Sequence, residues 1–127
     1  MSYAAPTNAK TYLLKHAVGL EDVLSLPAYE NINEELVTDI LSGAASFAED
    51  ILAPINQNGD LNPATLEGDD VIASPGFKEA YKDFVEAGWL SLGASEAIGG
   101  AGLPAVVSVS VNEMIYAANM ALSLIHI

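Results

Sequence analysis

A run of apolar residues at helical spacing across residues 36–55 is the feature that most constrains how this chain can fold. Asn33 precedes the run as a favourable N-cap, and Glu34 and Glu35 lie in the first turn, where the helix dipole favours acids. Pro54 predicts either a kink in this helix or its end. The members of the apolar face recur three or four residues apart: Leu36, Val37, Ile40, Leu41, Ala44, Ala48, Ile51, Leu52 and Ile55.

Shorter elements are predicted before this helix. Residues 7–19 form a first helix, with Thr7 or Asn8 as its cap and Gly19 as its end. A short apolar turn then ends at Pro27, and residues 28–33 form a connector.

Further elements are predicted after it. Residues 56–73 are rich in Asn, Gly, Asp and Pro and indicate a loop. Ser74 and Pro75 then supply a cap and a first helical residue, and Gly88 ends the helix. Its apolar face consists of Phe77, Ala80, Tyr81, Phe84 and Val85. A second loop covers residues 89–103, with Pro104 opening the last element.

The last element is ambiguous in its pattern. Residues 107–111 alternate valine with serine, as a half-buried strand would. The longer continuation has helical spacing through Met114, Ile115, Ala118, Ala121, Leu122 and Ile125. One helix is expected, with a strand at residues 106–111 as the alternative. The sequence therefore predicts an all-α fold of about four helices.

The apolar stretch from Leu103 to Ile127 does not predict a transmembrane span. Asn112 and Glu113 lie near its middle, and a central acid costs roughly 2.5–3.5 kcal/mol on insertion scales. The chain also stops inside the apolar stripe, without a capping glycine or polar turn, so an interrupted last helix is expected.

The charge balance excludes some classes of function. Seventeen carboxylates accompany four lysines (Lys10, Lys15, Lys78 and Lys82) and no arginine. A nucleic-acid-binding protein requires a basic surface that displaces counterions from phosphates, so that class is excluded. The same shortage predicts that the chain alone makes a poor phosphate site. The absence of cysteine excludes disulfides and thiolate metal sites.

No motif for catalysis or metal binding emerges from the residues themselves. Residues 100–105 match the G-x-G-x-x-A dinucleotide pattern, but no strand is predicted before them and no acid follows Glu113. The region after Asp60 lacks the ligand positions of a calcium loop. His16 and His126 have no partner nearby in sequence and are interpreted as surface residues.

Several segments, in the same order along the chain, nevertheless resemble the acyl-CoA dehydrogenase family. Residues 47–56 are similar to the family stretch F-A-E-E-x-x-A-P-x-N, and residues 75–89 to its next helix with the G-W that ends it. Residues 95–103 resemble the loop P-E-E-Y-G-G-x-G-L, and residues 112–120 the helix that follows. Ser95 replaces a proline of that loop, and Ile98 an aromatic residue.

Residues 3–6 and 19–27 resemble the N-terminal extension of the larger bacterial members. The resemblance implies an extension at residues 1–33 and an incomplete N-terminal helical domain at residues 34–127. Residues 124–127 match the family poorly.

The resemblance implies an FAD-dependent, cytoplasmic oxidoreductase of fatty acid β-oxidation that forms the α,β double bond of an acyl-CoA thioester. It also implies a homo-oligomer that passes electrons to an electron-transfer flavoprotein. The catalytic glutamate and the flavin site of the family lie outside this chain, so the chain alone is expected to be inactive and to bind no flavin.

In the family, the helix corresponding to residues 112–124 helps to line the acyl pocket. The resemblance therefore places Tyr116, Asn119, Met120 and Ser123 near the substrate, with roles in the core or an interface as the alternative. The substrate is either a fatty acyl-CoA or a short thioester such as methylthiopropionyl-CoA. A different class of function, a stand-alone acidic helical binding module without enzymatic activity, also fits the composition.

Overall fold

The computed structural model of the protein describes residues 3–123, and helices dominate them. The predicted all-α class is confirmed, with one small two-stranded sheet in addition. The helices are Thr7–Leu13 (α1), Leu20–Leu24 (α2), Glu34–Phe47 (α3), Ala53–Leu61 (α4), Phe77–Glu86 (α5), Ala105–Ala118 (α6) and Met120–Ser123 (α7). A π-helical turn at Leu14–Val18 continues α1 up to Gly19, and short 3₁₀ turns occur at Pro27–Tyr29, Trp89–Ser91 and Glu96–Ile98.

The long helix passes through Pro54 instead of ending there. A π-helical turn at Ala48–Leu52 joins α3 to α4, and the N–H of Ala53 bonds to the carbonyl of Ala48 in this wider turn. Pro54 has no N–H to donate, and the wider turn absorbs that gap in the ladder while the helix continues to Leu61. The expected loop at residues 56–61 is therefore wrong.

The rest of the expected loop contains a β-hairpin that the sequence analysis did not predict. Thr65–Glu67 (β1) and Asp70–Ile72 (β2) pair antiparallel, with Leu66 opposite Val71. Gly68 lies in the connection with φ 65°, a left-handed conformation that favours glycine.

The predicted ends of several helices are confirmed. Asn33 caps α3 by accepting a hydrogen bond from the N–H of Leu36 at 2.8 Å. Gly19 and Gly88 follow their helices with φ of 75° and 76°, the left-handed conformation expected of a terminating glycine.

Two predicted helix N-caps are wrong. The first helix begins at Thr7 with Pro6 in the cap position and no side-chain cap, so neither Thr7 nor Asn8 caps it. α5 begins only at Phe77, because Gly76 has φ 85° and forms a turn in which the N–H of Phe77 bonds to the carbonyl of Ser74.

The last element is helical, and the alternative strand at residues 106–111 is wrong. Val107 and Val111 are fully buried and Val109 is 63% exposed, as their spacing on one helix requires. The helix is not continuous, however, because Asn119 has an extended backbone (φ −158°, ψ 91°) that separates α6 from α7. The sequence also predicted a last helix cut short at Ile127, and that position lies outside the described residues.

The core forms where α3 and its π-helical turn pack against α6, with α1 lying across α3 and α7 against α4. Most of the predicted apolar face of α3 is buried there, but Leu36 is exposed, as is Val85 of α5. No helix within residues 3–123 has the length and apolar content needed to cross a membrane. The largest fully buried apolar side chains are Leu41, Leu52, Met114, Ile115 and Leu122.

Candidate functional site

The four residues proposed near substrate divide into an exposed pair and a buried pair. Tyr116 and Met120 are 39% and 60% exposed, whereas Asn119 and Ser123 are 1% and 0% exposed. Their backbones are close together around the break between α6 and α7. Tyr116 and Met120 are thus available to a ligand or to another part of a larger protein, and contact with substrate stays a prediction for all four.

Asn119 uses both ends of its amide to hold the break in place. Its Nδ2 donates a hydrogen bond to the carbonyl of Leu52 at 3.2 Å, and its Oδ1 accepts one from the N–H of Leu122 at 3.0 Å. The second bond is the N-cap of α7. Asn119 therefore links the start of α7 to the π-helical turn before α4.

Ser123 is also engaged inside the protein. Its Oγ donates a hydrogen bond to the carbonyl of Met120 at 2.8 Å. The polar groups of Asn119 and Ser123 thus have partners within the chain. Both residues support the local backbone from which Tyr116 and Met120 project.

The N-terminal segment, residues 3–18, is bound to α3, to the π-helical turn after α3 and to α6 by contacts that the sequence did not predict. The N–H of Ala5 donates to Glu49 Oε1 at 2.7 Å, and Lys10 Nζ lies 2.6 Å from Glu113 Oε2. Lys15 Nζ and Glu34 Oε2 are 2.5 Å apart. The one available signal was the scarcity of lysine, because the few cations of an acidic chain readily find carboxylates.

The Lys10–Glu113 ion pair is asymmetric, and this determines the expected effect of each substitution. Lys10 is 6% exposed, but the side chain of Glu113 is 68% exposed. Glu113→Ala leaves an ammonium with little access to water and is expected to cost about 2 kcal/mol, less than a fully buried pair because lysine can extend to solvent. Lys10→Met leaves a solvated carboxylate and should change the free energy of unfolding by less than about 1 kcal/mol. Urea denaturation of both variants measures the difference, and a larger loss for Lys10→Met would contradict it.

Tyr3 lies in the same region and should make the stability pH-dependent. Burial raises the pKa of Tyr3 above its usual value of 10.0, and the negative charges of Glu113 and Glu49 add to the rise. The unfolded chain loses the hydroxyl proton of Tyr3 at a lower pH than the folded protein does. The stability that this proton contributes is therefore fully present below the ordinary pKa of tyrosine and is lost as the pH rises from there through the raised pKa of the folded state.

Tyr3→Phe is expected to reduce this alkaline loss of stability. The Tyr3 hydroxyl is buried and makes no hydrogen bond within the described residues, so the variant should be as stable as the wild type at pH 7. Thermal melts from pH 7 to about 11 measure the effect. If Tyr3→Phe loses as much stability at alkaline pH as the wild type does, groups other than Tyr3 are responsible for the loss.

The glycine-rich loop at residues 91–103 is folded tightly on itself. The N–H groups of Gly102 and Leu103 bond to the carbonyls of Ala94 and Leu92 at 2.9 Å each. A Cβ on Gly100 would lie 2.1 Å from the carbonyl oxygen of Ala94, so only glycine fits there. A 3₁₀ turn, not a strand, precedes Gly100. The geometry therefore differs from a dinucleotide fingerprint.

The departure at Ser95 is compatible with the loop of the family it resembles. Ser95 has φ −61° and ψ 142°, values that a proline adopts without strain. Ile98 is 80% exposed, so its side chain contributes little to the packing of this loop within the chain.

Three of the four lysines take part in ion pairs within the described residues. Lys10, Lys15 and Lys82 each lie within ion-pair distance of a glutamate, and Lys78 is exposed on α5. No group of three metal-binding side chains occurs within residues 3–123. That the chain alone makes a poor phosphate site stays a prediction.

Comparison with known proteins gives the class of enzyme that the chain resembles, the acyl-CoA dehydrogenases. It is 32% identical over 124 residues to the 3-methylmercaptopropionyl-CoA dehydrogenase of Ruegeria pomeroyi, a match that covers 98% of the chain and 21% of that protein. It is 26% identical over 121 residues to the broad-specificity linear acyl-CoA dehydrogenase FadE5 of Mycobacterium tuberculosis, covering 94% of the chain and 20% of that protein. The chain thus spans about a fifth of the length of these relatives. No family model matches it.

Proposed function

We propose that this chain is the N-terminal part of an FAD-dependent acyl-CoA dehydrogenase, with an extension at residues 1–33 and part of the N-terminal helical domain at residues 34–127. The observation that carries the proposal is a match to such an enzyme over 98% of the chain at 32% identity. The helical fold and the ordered motifs along the chain support it.

The complete enzyme would introduce the α,β double bond of an acyl-CoA thioester, with FAD held by the part of the protein beyond this chain. Its thioester would be a fatty acyl-CoA or methylthiopropionyl-CoA. Electrons would pass to an electron-transfer flavoprotein from a cytoplasmic homo-oligomer. The chain alone would be inactive and free of flavin.

Within such an enzyme, Tyr116 and Met120 would contribute to the wall of the acyl pocket. Their exposure leaves them accessible to the acyl chain or to the facing domain. Asn119 and Ser123 would act by fixing the α6–α7 break that carries this pair.

The test is to determine the coding sequence beyond Ile127 and to express the product. We expect the frame to continue, and the product to carry flavin that an acyl-CoA thioester bleaches under anaerobic conditions. The 127-residue chain, assayed in parallel, should hold no flavin. A frame that ends directly after Ile127, together with cooperative unfolding of a soluble monomer, would instead favour the acidic binding module.

A further inference from the structure

The β-hairpin is exposed to an extent that a lone hairpin seldom sustains. All six residues of its strands are exposed. Leu66 and Val71, which lie opposite each other on one face, are 71% and 74% exposed. Because two strands without further packing are marginally stable in water, a surface that covers this face would stabilise the hairpin.

The charges of the hairpin indicate what such a surface carries. Glu67 lies directly opposite Asp70, an arrangement that is destabilising for like charges, and Asp69 adjoins them in the turn. None of the ion pairs within residues 3–123 includes these carboxylates. A lysine or arginine from outside the chain would offset this repulsion.

The exposed area continues from the hairpin along α5. A cleft of about 680 Å³ separates β2 from the start of α5, with Val71, Ile72 and Tyr81 in its walls. A second cleft of about 670 Å³ runs further along α5 to Val85 and shares Tyr81 with the first. The docking surface consists of the apolar side chains Leu66, Val71, Ile72, Tyr81 and Val85, and Lys78 and Lys82 of α5 line its clefts beside them.

A second copy of the chain does not fit this surface well. Each copy has a net charge of −13, so self-association would bring together surfaces of the same sign. The relatives, in contrast, are about five times as long as the chain, and the 32% match includes nearly all of it. In a protein of that length, other parts of the same polypeptide are present to cover the hairpin.

We infer that the docking surface packs against the remainder of the same polypeptide, on an apolar patch bordered by lysine or arginine. This inference rests on the proposed function, since it needs the longer protein. The hairpin and α5 then form an intramolecular interface. The carboxylates of Glu67, Asp69 and Asp70 face the lysine or arginine side chains at the border of the apolar patch.

Thiol labelling tests the inference, because the chain has no cysteine of its own. Val71→Cys is introduced into the 127-residue chain and into the longer gene product, and labelling by a maleimide is followed on the peptide by mass spectrometry. The rate in each protein is divided by the rate in the same protein unfolded by denaturant. We expect labelling at least about tenfold slower in the longer product.

Hydrogen exchange of the unsubstituted proteins gives a second measurement that does not depend on the folding of the variant. Amides of residues 65–72 should exchange at least about tenfold more slowly in the longer product. Equal rates by both methods would overturn the inference. Protection of Val71→Cys already in the 127-residue chain would also overturn it, since that result indicates a second copy on this surface.

Flavin content and dehydrogenase activity, measured on the same preparation, separate this inference from the proposed function. An active flavoprotein with an unprotected hairpin would contradict the docking surface but agree with the proposed function. A protected hairpin in a product without dehydrogenase activity would support the docking surface and contradict the proposed function.

Discussion

Replacing Asn119 by alanine is expected to lower the free energy of unfolding by about 2–4 kcal/mol, the sum of a lost N-cap and a buried carbonyl left without its side-chain partner. The side chain is 1% exposed and joins the carbonyl of Leu52 to the N–H of Leu122. Water does not readily reach either backbone group. Equilibrium denaturation in urea, at constant m-value, measures the loss.

Two variants separate the contributions to this effect. Asn119→Ser can keep the cap to Leu122 but cannot reach Leu52, so about half of the loss is expected. Asn33→Ala removes an exposed N-cap of the same chemistry from α3 and should cost about 1 kcal/mol. A loss in Asn119→Ala no larger than in Asn33→Ala would show that the link to Leu52 contributes nothing.

Gly100→Ala is expected to destabilise the protein by about 3 kcal/mol, which corresponds to a melting temperature lowered by about 10 °C. The added Cβ would meet the carbonyl carbon and oxygen of Ala94 at 2.4 and 2.1 Å. These are backbone atoms, held by the hydrogen bond from Gly102 to the same carbonyl. The loop therefore has to open before alanine fits.

The neighbouring glycine provides the matched control. Gly99 has φ 84° and open space around its Cβ position, so Gly99→Ala pays only for the left-handed backbone, about 1 kcal/mol. Thermal melts of the two variants measure the difference. Equal melting temperatures would mean that the approach of Gly100 to Ala94 is absent in solution.

Helical periodicity and capping residues correctly predicted the helices whose ends and buried faces are determined by residues close together in sequence. Asn33 and the apolar face that follows it define α3, and Gly88 ends α5, because caps and periodicity operate within a few residues. Pro54 was harder to interpret. A proline predicts a gap in the ladder, but the π-helical turn that absorbs the gap depends on how the whole helix packs against α6.

The hairpin and the helix break depend on information that periodicity does not contain. Each strand is only three residues long, and Leu66 and Val71 are separated by an acidic, glycine-containing turn, so no alternating pattern was visible around them. Asn119 stands in an otherwise helical stripe, and its break exists because the carbonyl of Leu52, remote in sequence, accepts its amide. The positions of the four site residues came from resemblance to a family. Their division into exposed and buried pairs required the structure.

The fastening of the N-terminal segment has a consequence for the order of events during synthesis. Residues 3–18 are translated before their partners Glu34, Glu49 and Glu113. Contacts between residues far apart in sequence cannot form until both have emerged. The contacts with Glu34 and Glu49 can therefore form once α3 and the π-helical turn are made, whereas the pair between Lys10 and Glu113 has to wait for α6. The docking of this segment completes the described fold only after α6 has been translated, although it occupies the beginning of the chain.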